Sequence, residues 1–373
     1  MSTTEKNPQE VRCAAAEHVG PTVITPREVP LGGPRAMTVR RTLPHRERSL
    51  IGPWCFVDHF GPDDVAASGG MAVPRHPHTG LATVTLLFEG RIEHRDSTDF
   101  ANTVRPGEVN LMIAGRGVSH SEFSTADTRT LHGVQLWYAL PESERHGDPG
   151  SQHHVAPLVE VPGGAVRTYL GELAEATAAG DAADAVATGT APSPIDTRTT
   201  ALAAEVLLPT AGRLLLPVDP TFEHGVLVDA GTVHVATRTE TTGDGAPRED
   251  EPVDLQPDDL VHLPVGASHL VLEAGAEPAR LILIGGPPFE EEIVMWWNFV
   301  GRSHEEIAAF REQWQHEIAA DDAPSGPPAF PATVPPRSDR FGPFPSDTPA
   351  PLPAPALPHA RLRPRRQPRG SRS

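Results

Sequence analysis

Two short segments carry residue types that bind transition metals. His76-Pro77-His78 sets two imidazoles at i and i+2, and His120-Ser121-Glu122 sets an imidazole and a carboxylate at the same spacing. On an extended strand alternate side chains share a face, so each pair can turn both of its donors towards one ion. Three neutral imidazoles and one carboxylate make a mixed nitrogen and oxygen set suited to Fe, Mn, Ni, Cu or Zn. Four protein ligands leave one or two positions open in five- or six-coordinate geometry, where a substrate can bind directly. Either pair alone is a common surface feature. The chemistry requires a fold that brings both to one place.

The elements around the pairs read as that fold. LATVTLLFEG (81–90), TVRPGEVNLMIAG (103–115) and LHGVQLWYALP (131–141) are rich in Val, Leu and Ile and bounded by Gly or Pro. Short strands punctuated by such turns predict a sandwich or barrel. The pattern resumes from about 199 to 288, and the two stretches match. The strand closing on Gly90 has a counterpart closing on Gly231, and the one closing on Gly115 has a counterpart closing on Gly266. We therefore expect an all-β chain of two jelly-roll barrels in tandem, copies of one ancestor.

The expected boundaries are a flexible N-terminus (1–20), a first barrel with the metal site (21–165), a linker (166–198) and a second barrel (199–290). A C-terminal segment with a helix (291–320) and a disordered tail (321–373) follow. Ser303 with Glu306 begins the helix as a capping box, and Ile307, Phe310, Trp314 and Ile318 then recur every three or four residues. In the tail, 15 of the 51 residues from Ala323 onward are proline, and six arginines lie within 361–372. Such composition predicts a solvated segment without packed structure.

Composition narrows the partners. Thirty-one Lys and Arg against 49 Asp and Glu give a net charge of −18, which disfavours the nucleic-acid backbone as a partner of the body. Cys13 and Cys55 form no Cys-x-x-Cys pair. No run approaches the roughly 18–20 apolar residues of a membrane span, and the first residues contain no signal-like apolar stretch, so a cytoplasmic monomer is the expectation.

The stretch from Phe56 to Glu122 resembles the pirins. DHFGP (58–62), HPHTG (76–80), RPGE (105–108) and AGRGVSHSE (114–122) carry the resemblance, which continues through LHGVQLW (131–137) into GGPPFEEEIVMWWNFVGRSHEEI (285–307). It implies a bicupin with a divalent metal in the N-terminal barrel, iron being the expected ion. Matched residue by residue, the family's ligands fall on His76, His78, His120 and Glu122. Cupins with a carboxylate ligand four residues after His-x-His have Ala82 in that slot here, so Glu122 is needed as the fourth. The second copy has Pro217 and Asp219 at the positions of His76 and His78, and Val271 two residues after His269, which implies a barrel without metal. Thr79, Leu81, Ala82, Leu111 and Ile113 depart from the usual pirin pattern near the pocket, not at the ligands.

The resemblance also implies an activity: an iron-dependent dioxygenase of the quercetinase type, taking a small aromatic flavonol and O2, with Glu122 as ligand and catalytic base. The alternative it implies is a non-catalytic regulator that binds a partner protein in a metal- or redox-dependent way. His94 and His132 read as packed barrel histidines able to back a ligand, and His153-His154 as an exposed pair.

Overall fold

A computed structural model describes residues 20–31, 37–174, 186–187, 189–239, 247–318, 340–345 and 348–364. The runs of Val, Leu, Ile and Thr between Gly and Pro turns form antiparallel strands, assembled as two jelly-roll barrels. In the first, a seven-stranded sheet centred on Glu108–Ile113, Leu81–Glu89, Thr130–Ala139 and Trp54–Asp64 faces a four-stranded sheet. That smaller sheet runs in the order Ala72–His78, Val118–Ser124, Ile92–Asp96, Ala101–Val104. The second barrel repeats the plan, with Leu260–Leu263, Glu223–Ala230, Ala279–Gly286 and Leu202–Leu208 in the same central order. Among the described residues no helix is long and apolar enough to cross a membrane.

The two large sheets pack back to back, and this explains why their strands are apolar nearly throughout. On Leu81–Glu89, Ala82, Val84 and Leu86 enter a cluster between the barrels that also holds Leu227, Ile282 and Ile284. The alternate residues face the barrel interior, as the period of two requires. Each large side chain fully buried in this way contributes about 1.5–3 kcal/mol.

Two expectations need correction. The linker expected from residue 166 is partly strand: Gly164–Leu170 pairs along Leu202–Leu208 in the second barrel's large sheet. Thr22–Ile24, expected in the first barrel, joins the far edge of that sheet against Leu260–Leu263. Both carry alternating apolar residues that a sheet edge can bury, Val166 in the second core and Ile24 between the barrels.

The tail expected to be disordered is docked over its described part. Phe341, Ala354 and Leu362 are buried with Phe310 and Trp314 of the C-terminal helix, which spans His304–Glu317 and is capped by Ser303. The Trp314 indole N–H donates to the Leu352 carbonyl at 2.8 Å. Proline richness removes self-bonded structure, but it also pre-sets an extended backbone whose free carbonyls can accept bonds from a neighbour at small entropic cost. Residues 1–19, 175–185, 319–339 and 365–373, with most of the arginine cluster, lie outside the described residues.

Candidate metal centre

The small sheet of the first barrel carries all four expected residues. Ala72–His78 pairs antiparallel with Val118–Ser124, and His76 stands directly opposite His120. Three ring nitrogens of His76, His78 and His120 lie within 4.8 Å of one another, and all three side chains are buried. The Nε2 atoms of His78 and His120 are 3.1 Å apart. The face-to-face arrangement expected from the two i, i+2 pairs is therefore present for the imidazoles. Glu122 is displaced from it. A register shift between His120 and Glu122 sets the carboxylate opposite Val73, and it groups with His120 and His94 instead of with the His76–His78 pair.

Electrostatics favour the ligand form of each ring. Burial strips water from the charged state and pushes the His76 imidazole down to about 3. His78 and His120 lie well below the ordinary histidine range for the same reason, with mutual repulsion adding to it. All three rings are neutral at pH 7.

Hydrogen bonds behind the rings fix which nitrogen is free. His76 Nδ1 lies 2.8 Å from the Pro74 carbonyl, so it donates and leaves the Nε2 lone pair inward. Behind His120 runs a chain. Although burial alone would raise the Asp96 carboxyl, hydrogen bonds from His94, Ser151 and Thr98 outweigh burial and hold it below its usual range. The ionised Asp96 accepts from His94 Nε2 at 3.2 Å, which leaves His94 Nδ1 as an acceptor. That atom is 3.3 Å from His120 Nδ1, which must therefore donate, leaving His120 Nε2 with its lone pair free. His94 is one of the two barrel histidines the sequence offers as able to back a ligand, whereas the spacing of Asp96 and Ser151 carries no such signal. His94 sits opposite Glu122 only through strand pairing.

The large sheet contributes a polar row beneath the imidazoles. Thr85 Oγ1 is 3.2 Å from Glu122 Oε1 and 2.9 Å from the Gln135 side-chain carbonyl oxygen. One hydroxyl proton cannot serve both, and Gln135 Nε2 is buried without a partner. Turning the Gln135 amide over gives the hydroxyl one donor and one acceptor: Gln135 Nε2 donates to Thr85, and Thr85 donates to Glu122. Glu122 is then held by one oxygen, while its Oε2 remains unpaired, as do His76 Nε2 and the Asn298 amide. Buried polar atoms left unpaired cost roughly 1–3 kcal/mol each. A first-row cation is the group that converging neutral imidazole lone pairs hold, and Glu122 is grouped on the same His120, so the donor set fits one.

The remaining histidines divide. His153 is exposed with Nε2 3.1 Å from Glu108, and His154 is half-buried. His132 points away from this centre, towards the second barrel. In the second barrel the equivalent strand pair places Pro217 opposite His269, where the first has His76 opposite His120.

Comparison with known proteins agrees with this architecture. The pirin family model matches residues 36–138, and the model of the pirin C-terminal cupin domain matches residues 203–318. The chain belongs to the pirin family. A Pseudomonas aeruginosa protein provisionally named quercetin 2,3-dioxygenase is 36% identical over 293 residues, 78% of this chain and 82% of the relative. A pirin-like protein of Caulobacter vibrioides is 33% identical, over 74% of this chain and 88% of its own length. The crystal structure of a quercetin 2,3-dioxygenase from Acinetobacter baumannii superposes with a TM-score of 0.73 and 31% identity, covering 92% of this pirin and 98% of that chain. An Escherichia coli pirin solved in complex with nickel(II) shares the fold, with a TM-score of 0.51 and 16% identity over 72% of this chain and all of its own.

Proposed function

We propose that this pirin is a metal-dependent dioxygenase acting on flavonol-type substrates, with iron as its ion. The observation that carries the reading is the set of three convergent neutral imidazoles beside a carboxylate with one uncommitted oxygen. The dioxygenase names of two relatives support the substrate class.

His76, His78, His120 and Glu122 would hold the ion, which when bound supplies Lewis acidity towards the flavonol 3-hydroxyl and a place for O2. Glu122 accepts the hydroxyl proton on Oε2, since Oε1 is occupied by the Thr85 hydroxyl. Thr85 and Gln135 keep that carboxylate from rotating away. The Asp96–His94 chain holds His120 in the tautomer that ligates. The Trp137 ring, edge-on to His78 with centroids 5.0 Å apart, forms an apolar wall that keeps water from the reacting centre. The overall reaction takes up one O2, opens the heterocycle and releases carbon monoxide.

One observation favours a second reading, a metal-dependent binding protein without turnover. All four candidate ligands are fully buried. Turnover therefore requires an opening motion that partner binding does not. The test is to load the stripped protein with Fe2+, Mn2+ or Ni2+, then follow flavonol absorbance and O2 uptake together. Loss of flavonol with equimolar O2 supports the enzyme. Full metal occupancy without O2 uptake, with every ion and flavonol tried, sinks it in favour of the binding reading.

A further inference from the structure

A second cluster of ligating atoms lies where the barrels meet, and nothing in the proposed reaction uses it. His59 Nε2 and His132 Nε2 come from two adjacent strands of the first barrel, and Asp229 Oδ1 from the second. The separations are 2.8 Å for His59 to Asp229, 2.7 Å for His132 to Asp229 and 3.3 Å between the two nitrogens. We propose that His59, His132 and Asp229 form a second site for a first-row divalent ion, one that joins the N-terminal barrel to the C-terminal barrel.

The geometry fits such an ion. Bonds of about 2.0–2.2 Å at right angles put neighbouring donors about 3 Å apart, so these three atoms match one face of an octahedron. Two histidines and one carboxylate on a face leave the opposite positions for water. The side chains of His59 and Asp229 are 2% and 0% exposed, while that of His132 is 13% exposed and offers the route in.

The groups behind the donors orient them as ligands. His59 Nδ1 lies 2.7 Å from Asp258 Oδ1, which fixes Nδ1 as the donor and aims Nε2 at the cluster. Asp258 is itself held by Arg40 Nε at 2.7 Å. Arg280 Nη1 takes the other oxygen of Asp229 at 3.1 Å, leaving Oδ1 for the cluster. Strand irregularities aim two of the three residues. Asp229 falls at the register shift between Val228 and Ala230, and His132 at the shifts beside Gly133 on both of its neighbouring strands. Bulges are the device by which a sheet redirects a side chain out of its alternation.

A proton competes for the same three atoms. A proton held between an imidazole nitrogen and Asp229 Oδ1 would occupy the place of the ion. The experiment must separate those occupants, and it does not depend on the proposed dioxygenase activity. The full chain, stripped with a chelator, is titrated with Zn2+ at pH 7.5 and the bound metal counted. Crystals soaked in Zn2+ are then measured at the zinc edge.

Two equivalents are expected in the wild type. One anomalous peak should lie about 2.0–2.2 Å from His59 Nε2, His132 Nε2 and Asp229 Oδ1. His132→Ala and Asp229→Asn should each lose one equivalent with an unchanged circular-dichroism spectrum, and His76→Ala should lose the other. In the His76→Ala protein, Zn2+ at roughly 100 times its Kd should still raise the Tm by about 5 °C, because the ion binds only the joined barrels. Wild-type crystals without a peak among the three atoms would overturn the proposal and leave a proton-held cluster. So would unchanged stoichiometry in His132→Ala. A single equivalent located at His59 would instead keep this site and remove the first.

Discussion

Acidifying the metal-free protein tests the reading of the first centre without reference to catalysis. His76, His78 and His120 are held neutral by burial, His76 down to about 3, against about 6.5 in the unfolded chain. The folded values are depressed, so between those limits the unfolded chain binds more protons than the folded one. Stability is then fully present above about pH 6.5 and lost as pH falls towards 3. For one histidine at pH 5 the loss is about 2 kcal/mol, the proton affinity gained by the unfolded ring and denied to the folded one. His78 and His120 are lowered in the same direction and add to that loss, which is already a large share of an ordinary domain's stability. His224 and His262 of the second barrel are also lowered by burial and act in the same direction. His59 acts the other way: hydrogen bonds to Asp229 and Asp258 outweigh its burial and raise it, so its contribution is complete at low pH and fades as pH rises through its folded value. The assay is guanidinium unfolding of chelator-stripped protein at pH 7 and pH 5, with wild type beside His76→Gln. The wild-type midpoint should fall sharply at pH 5, and the glutamine variant should lose about 2 kcal/mol less over the same interval. Equal midpoints at the two pH values, or an unchanged pH response in the variant, would refute the claim that these rings are buried neutral.

Three further outcomes are expected. Glu122→Gln should lower flavonol turnover per bound metal by about 10²–10⁴-fold, and full activity per metal would leave Glu122 without a proton-transfer role. His94→Ala breaks the chain that fixes His120, so metal affinity should drop by about 10–100-fold in a competition titration, while an unchanged affinity would make His94 a packing residue. Phe341→Ala removes a fully buried ring packed against Trp314 and Phe299 and should cost about 3 kcal/mol in thermal unfolding; an unshifted Tm would mean that the tail does not dock.

The sequence showed the centre better than its surroundings, and the reason is local. His76, His78 and His120 announce themselves because a strand's period of two converts spacing directly into direction. Glu122 obeys the same spacing, yet the register shift beside it moves the carboxylate from the His76–His78 pair towards His94. A shift of that kind depends on how two strands pair and leaves no mark on either alone. His94, Thr85 and Gln135 reach the site through pairing between distant segments, and Asp229 reaches His59 only across two barrels. The tail misled because proline content reports the absence of internal hydrogen bonds and says nothing about docking. What holds the tail is an external surface, built from the helix and from Arg75, whose guanidinium donates to the Gly342 carbonyl at 2.8 Å.

The same comparison explains why the first barrel carries the candidate site and its copy does not. Aligning Gly90 with Gly231 puts Val226 where Thr85 stands. Strand pairing then extends each position into a row. In the first barrel the row reads Asn110, Thr85, Gln135, Asp58 across four strands. In the second it reads Val261, Val226, Leu283, Ala204 across the equivalent four. The difference between the copies is therefore a whole inward-facing layer beneath the ligand strands, deeper than the loss of two histidines at Pro217 and Asp219. Val261, Val226, Leu283 and Ala204 all lie in the second barrel's apolar core, where an unpaired imidazole or carboxylate would cost roughly 1–3 kcal/mol or more. Restoring histidines at Pro217 and Asp219 alone would accordingly place them over hydrocarbon, with no carboxylate partner and no hydrogen bonds to fix their tautomers. The polar row of the first barrel supports the opposite balance: Thr85 and Gln135 steady Glu122, and Asp58 is held by Arg41 at 2.6 and 2.8 Å. The apolar copy contributes hydrocarbon packing at the positions where the first barrel keeps a polar row.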